Sequence, residues 1–202
     1  WQYGTNGWMP HYFWYVYYPI IKSCNDLVIL LEGNEDMADY VAIARTYRAL
    51  LYLDLARLFE ALPIDPALSA DYAAQQAKVA GLTVPIVNEF TGEEDAKQNP
   101  RATREEMFKF ILSDLAAAEE VFDSEDYKPM ASTDPTLAVV YGLYARTYLW
   151  LGGFNDFLSG ELPEGNEAYA KAAEYARMAI EEFGGAIMSE AEWTNVTTGF
   201  NT

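Results

Sequence analysis

A chain of 202 residues that is 51% hydrophobic and 22% charged carries enough apolar material for one domain with a real core, and is not a disordered polymer. Its 31 acidic side chains against 13 basic ones give a net charge of -18, which excludes a phosphate-backbone binder and a partner for anionic lipid, while neutral and cationic ligands stay open. The single cysteine, Cys24, excludes an internal disulfide, and its place on an apolar helical face marks a buried free thiol rather than a reactive one.

Residues 1–14 are rich in Trp, Tyr, Gly and Asn, and no charged side chain precedes Lys22. From about Tyr15 apolar positions recur at helical spacing, through Tyr17, Ile20, Ile21, Cys24, Leu27, Val28 and Leu31. Pro19 belongs in the first turn of this helix or at a kink, and Gly33-Asn34 stop it. A second helix is expected over 36–60, with Val41, Ala44, Leu51, Leu55 and Leu58 as its stripe. The short link makes the two antiparallel neighbours.

Residues 61–102 form a long excursion. It is expected to hold a short helix within 61–81, an extended piece at LTVPIV and an exposed acidic loop at TGEEDAKQNPR. Thr103 and Glu106 then spell a capping box for a third helix, lined by Met107, Phe108, Ile111, Leu115, Ala118 and Phe122. Asp134-Pro135 reads as the N-cap and first-turn proline of a fourth helix, lined by Leu137, Val140, Tyr141, Tyr144, Tyr148 and Leu151 and ended by Gly152-Gly153. Asn166 is the expected cap of a fifth, lined by Tyr169, Ala172, Ala173, Ala176 and Ile180 and closed by Gly184-Gly185.

Small alanines alternate with large tyrosines and leucines along these faces, so that backbones approach and grooves fill. This predicts an all-α fold of tetratricopeptide-like helical hairpins with long loop insertions. ARTYLWLGGF (145–154) followed by AYAKAAEYARMAI (168–180) resembles one repeat unit with an insertion, and RTYRALLYLDLARLF (45–59) looks like another first helix.

Five blocks occur in a specific order: YYPIIKSCNDLVILLEG, RTYRALLYLDLARLFEALP, TREEMFKFILSDLAAAEEVF, PTLAVVYGLYARTYLWLGGF and YAKAAEYARMAIEEFGG. Together they resemble the SusD/RagB family of outer-membrane nutrient-binding lipoproteins. Two departures stand out: Glu60-Ala61 replaces an expected glycine, and YGLYAR replaces an alanine-rich run. The resemblance implies that residues 1–202 are a single SusD-like helical-repeat domain, a piece of a larger protein without its N-terminal lipobox region and C-terminal part. It also implies a surface-exposed lipoprotein of the cell outer membrane, whose anchor lies outside this sequence and is not Cys24. Such a protein captures nutrients, usually glycans, for a SusC/RagA-like TonB-dependent transporter, with no catalytic chemistry and no cofactor.

The candidate ligand-binding residues are Trp1, Tyr3, Asn6 and Trp8, which alternate with glycine in an uncharged stretch. Flat rings stack on the C–H faces of sugars, and side-chain amides meet their hydroxyls. The competing expectation is that these rings pack under the helices. Tyrosines 47, 52, 141, 144 and 148 are read as helix packing. The adjacent pairs Glu93-Glu94, Glu105-Glu106, Glu119-Glu120 and Glu181-Glu182 point about 100° apart on a helix and read as solvated faces rather than catalytic dyads. His11 stands alone, and Glu93, Glu94 and Asp95 lack EF-hand spacing, so no metal site is expected. Nucleotide-binding motifs are absent, as is any nucleophile with a neighbouring base. Two rival functions remain: a tetratricopeptide-type adaptor, which needs a continuous groove, and an all-α glycan-processing enzyme, which needs opposed carboxylates in an aromatic cleft.

Overall fold

A computed structural model describes residues 8–60, 70–157, 159–185 and 189–195. Helix α1 (Trp8–Leu31) takes in the aromatic run and begins earlier than the expected Tyr15, with Pro19 well inside it rather than in its first turn. Ile21, Cys24 and Val28 are buried, whereas Ile20 and Leu27 of the expected stripe face outward. Gly33, at φ +85°, ends the helix in a conformation that a side chain disfavours. The Asn34 side chain then accepts from the Asp36 amide and opens a 3-10 turn (Glu35–Met37) that leads into α2 (Ala38–Phe59).

The hairpin is antiparallel: Trp14 meets Phe59 ring to ring at 5.5 Å, and Arg45 reaches Glu32 at 2.8 Å near the turn. Helix α2 lies between α1 and α5 (Arg104–Phe122), so it is buried on more than one side. Its buried positions include Ala42, Ala49 and Ala56, spaced one heptad apart, together with Tyr52, Leu53 and Leu55, a broader face than the expected stripe. Ala44 and Leu55 of that stripe are buried, Val41 and Leu51 are half-buried, and Leu58 is exposed.

The excursion contains the expected short helix, α3 (Ala70–Ala77), and a second one, α4 (Glu93–Lys97), inside the acidic stretch expected to be plain loop. The Thr83 amide donates to the Ala102 carbonyl and the Ala102 amide to the Val84 carbonyl, an antiparallel contact too short to form a strand. Helix α5 carries the capping box at Thr103 and Glu106, and all six expected core positions on it are buried.

Helix α6 (Leu137–Leu151) has Thr136, not Asp134, at its N-cap position. The Asp134 carboxylate accepts instead from the Met130 and Ala131 amides at 3.0 and 2.8 Å and closes the preceding turn. The expected α6 face is buried throughout, and Gly152 ends the helix. Helix α7 (Gly165–Phe183) opens after Glu164, not Asn166, because the turn at Gly165 needs a φ of +50° that glycine supplies. Its buried face is Ala168 and Ala172, with Tyr175 slotted against Tyr144 and Tyr148 at 4.5 and 5.5 Å. Tyr169, Ala173 and Ile180 of the expected stripe are exposed, because α6 covers only one side of this helix. Gly184, at φ +63°, closes it, and a last short turn, α8 (Glu190–Trp193), carries its own Ser189/Glu192 capping box.

Successive long helices therefore pack as neighbours: α1 on α2, α2 on α5, α5 on α6 and α6 on α7. The fold is all-α and built of stacked hairpins, with the excursion and the α6–α7 insertion emerging from the stack.

Candidate functional site

The aromatic run at the start of α1 divides into two faces. Positions 8, 12 and 15 fall on one side of the helix, one and two turns apart. Trp8 is 73% exposed and stacks on Tyr12 at 5.5 Å with 28° between the rings. Tyr15 is also 73% exposed and lies beside His11 at 6.2 Å. These rings form an outward ridge whose ends are roughly 10 Å apart along the axis. The opposite side is packing: Trp14 tilts against Tyr18 at 4.6 Å, and Tyr17 and Tyr18 lie against the core. Of the sequence-predicted ligand residues, Trp8 is thus on open surface, while Trp1, Tyr3 and Asn6 lie outside the described residues.

Beneath the excursion lies a polar network that apolar periodicity did not reveal. Arg48 on α2 donates through Nε and Nη2 to the two oxygens of Asp114 on α5, each at 2.7 Å. Its Nη1 reaches Asn25 at 2.7 Å and Glu89 at 2.5 Å. Burial works against the Arg48 charge, but Asp114 and Glu89 hold its pKa above the ordinary arginine range. Burial likewise pushes the Asp114 carboxyl up, against the pull of Arg48. Glu89 is held below the usual carboxylate range: its own burial opposes this, but its backbone amide, Arg48 and Arg45 prevail. The one signal available in the sequence was positional. Arg48 and Asp114 sit at core-facing spacing on two helices, where a lone charge cannot be left unpaired.

This network pins the extended segment 82–89 to the helices. The Tyr52 hydroxyl engages both the carbonyl and the amide of Val87, Asn25 donates to the same carbonyl at 3.0 Å, and the Tyr18 hydroxyl donates to Pro85 at 2.7 Å. From the other side Arg101 donates to the carbonyls of Thr83, Phe59 and Leu82. A loop with this many anchors presents its outer surface in one shape.

Several carboxylates repay inspection as chemistry. Burial raises Glu60 above its ordinary pKa, as in many catalytic acids, yet it is gripped by Arg104, which also bonds Asp156 at 2.9 Å and lies over the Phe154 ring at 3.5 Å. That arrangement is a clamp joining the end of α2 to the start of α5. Glu93 and Glu94 are exposed, and both reach Lys97. Among the described residues no three His, Cys, Asp or Glu side chains gather as a metal site would need, and no helix is long and apolar enough to cross a membrane.

A family model described as "Starch-binding associating with outer membrane", of SusD-like type, matches residues 2–149. No curated protein matches the chain. Among solved structures, a SusD-like carbohydrate binding protein from Bacteroides vulgatus ATCC 8482 is 22% identical and superposes with a TM-score of 0.62 over 90% of this chain and 33% of its own. A SusD-like protein from Bacteroides fragilis NCTC 9343 is 18% identical, with a TM-score of 0.56 over 83% of this chain and 27% of its own. A third structure, from the same Bacteroides vulgatus strain, is 25% identical, with a TM-score of 0.58 over 91% and 36%. The chain thus spans about a third of the length of the structures it matches. The structural likeness establishes the helical fold, and the family match runs through the aromatic ridge, the Arg48 network and most of α6. This chain belongs to the SusD-like family.

Proposed function

We propose that this chain is a non-catalytic, surface-exposed nutrient-binding unit that captures glycan for a SusC/RagA-like TonB-dependent transporter of the outer membrane. Residues 1–202 act as one helical-repeat domain of a larger protein, which is held at the membrane through a lipid anchor outside this sequence. The observation that carries the reading is the exposed Trp8–Tyr12–Tyr15 ridge on a starch-binding family's scaffold. Rings held in water on a rigid helix are ready to stack on the apolar faces of sugars, with little further entropy to lose. Trp1, Tyr3 and Asn6, the other candidates read from the sequence, belong to the same proposal as ligand-contacting residues. The charge of -18 suits neutral saccharides and disfavours anionic ones. Modest affinity per contact, multiplied along a polymer, allows capture without blocking release.

Native-gel retardation on soluble starch, xylan and mannan tests this. Wild type is expected to be retarded on at least one polysaccharide, and Trp8→Ala to lose about tenfold in affinity, equivalent to about 1.4 kcal/mol. New reducing ends released by the purified protein, or no retardation on any polysaccharide, would refute the reading. Co-purification of a TonB-dependent transporter from native outer membranes checks the partner independently.

A further inference from the structure

Phe90 stands out on the surface of the excursion. Its ring is 81% exposed, yet the backbone on both sides of it is locked. Glu89 is tied to Arg48, and Asn88 accepts through Oδ1 from the Phe90 amide at 3.1 Å and from the Thr91 hydroxyl at 2.9 Å. Asn99 donates to the Ile86 carbonyl at 2.6 Å and closes the loop from the far side. Phe90 borders a cleft of about 540 Å³ between this turn and α4. That is within the roughly 300–1,000 Å³ of small-ligand sites.

The polar groups of the cleft have a common character. The Asp95 carboxylate and the Gln98 amide line it and make no side-chain hydrogen bond to other described residues, and the Asn88 Nδ2 is equally uncommitted. No basic side chain lines the cleft, so an anion finds no counter-charge there. Metal-ligating side chains do not gather in threes among the described residues. Enclosure is too slight, and the lining too polar, for a lipid chain. One flat ring beside two carboxylates, of which Glu94 is paired with Lys97, and the amides of Asn88, Gln98 and Asn99 matches a neutral ligand with one C–H face and several hydroxyls.

We infer that the cleft bounded by Phe90, Asn88, Asp95 and Gln98 is a second saccharide-binding subsite, separate from the ridge on α1. Phe90 stacks on a pyranose face, while Asp95 and Gln98 take its hydroxyls. The buried Arg48 network keeps this loop in its binding shape before ligand arrives. The inference rests on the glycan-binding reading given above.

Calorimetric titration with maltohexaose, xylohexaose and mannohexaose separates the two. Phe90→Ala is expected to weaken the bound oligosaccharide about tenfold and Gln98→Ala several-fold, with thermal midpoints unchanged because both side chains are exposed. Combining Phe90→Ala with Trp8→Ala multiplies the losses when the oligosaccharide engages both places. Should wild type bind while Phe90→Ala and Gln98→Ala bind equally well, the cleft is no subsite and the ridge reading stands alone. Should wild type bind none of the three, both fall. Tighter binding of an aliphatic diamine than of any hexasaccharide would reassign the cleft to cations and overturn the inference.

Discussion

Arg48 and Asp114 meet in a two-pronged ion pair between α2 and α5 although each is only 1% exposed. Charges so deeply buried cost several kcal/mol each to desolvate, and the pair persists because Arg48 makes four hydrogen bonds among the described residues, two of them to the Asp114 oxygens and the others to Asn25 and Glu89. Its position explains its presence. It sits under segment 82–89 and joins two core helices to a loop that apolar packing alone would leave loose.

Removing one partner should therefore be far worse than removing both. Arg48→Met is expected to destabilise the fold by about 3–5 kcal/mol, and Asp114→Leu by a similar amount. The double variant should lose well under their sum, leaving Arg45 to face Glu89, now 3.9 Å away. Chemical denaturation of the four proteins measures this coupling; additive losses would contradict it.

Alkali should unfold the protein with a late, steep release of phenol protons. Burial holds Tyr18, Tyr52 and Tyr144 above the ordinary tyrosine value of 10, and pushes Tyr175 up to about 12. The unfolded chain loses these protons from about pH 10 while the folded one keeps them, so stability is full below that pH and falls as pH rises through the folded values. Phenolate absorbance and helical circular dichroism should change together. Smooth phenol titration with helix intact would count against this packing.

Gly152 closes α6 where a Cβ would come within 2.6 Å of the Tyr169 ring. Gly152→Ala should cost about 1–3 kcal/mol as overpacking, since the ring must swing away. Adding Tyr169→Ala should remove most of that penalty in thermal unfolding. A Gly152→Ala protein as stable as wild type would show that the ring moves freely.

The expected core positions of α5 and α6 are all buried, because each helix sets large apolar residues at helical spacing toward the neighbours it packs between. The α2 face departs from the expected stripe because that helix lies between α1 and α5, so Ala42, Arg48, Ala49, Tyr52, Leu53 and Ala56 are buried beyond it. The starts of α6 and α7 were misplaced because Asp134 and Asn166 are good caps by type, while the actual turns use Thr136 and the φ of Gly165.

For the candidate surface the division is similar. The sequence singles out Trp8 as a candidate by its aromatic, uncharged surroundings, but which rings of the run face outward follows only from the side of α1 that meets α2. The Phe90 cleft gave no sign in local pattern. It arises where residues 86–91 and 94–100 are folded together by contacts to side chains distant in the chain.

Helical class, hairpin order and family likeness were written in the sequence itself, since periodicity, caps and short links act over a few neighbouring residues. The tertiary structure alone decided which charges are buried, which aromatic rings meet water and what shape the excursion takes. Those outcomes depend on side chains tens of residues apart, such as Arg48 with Asp114, whose meeting no local spacing encodes.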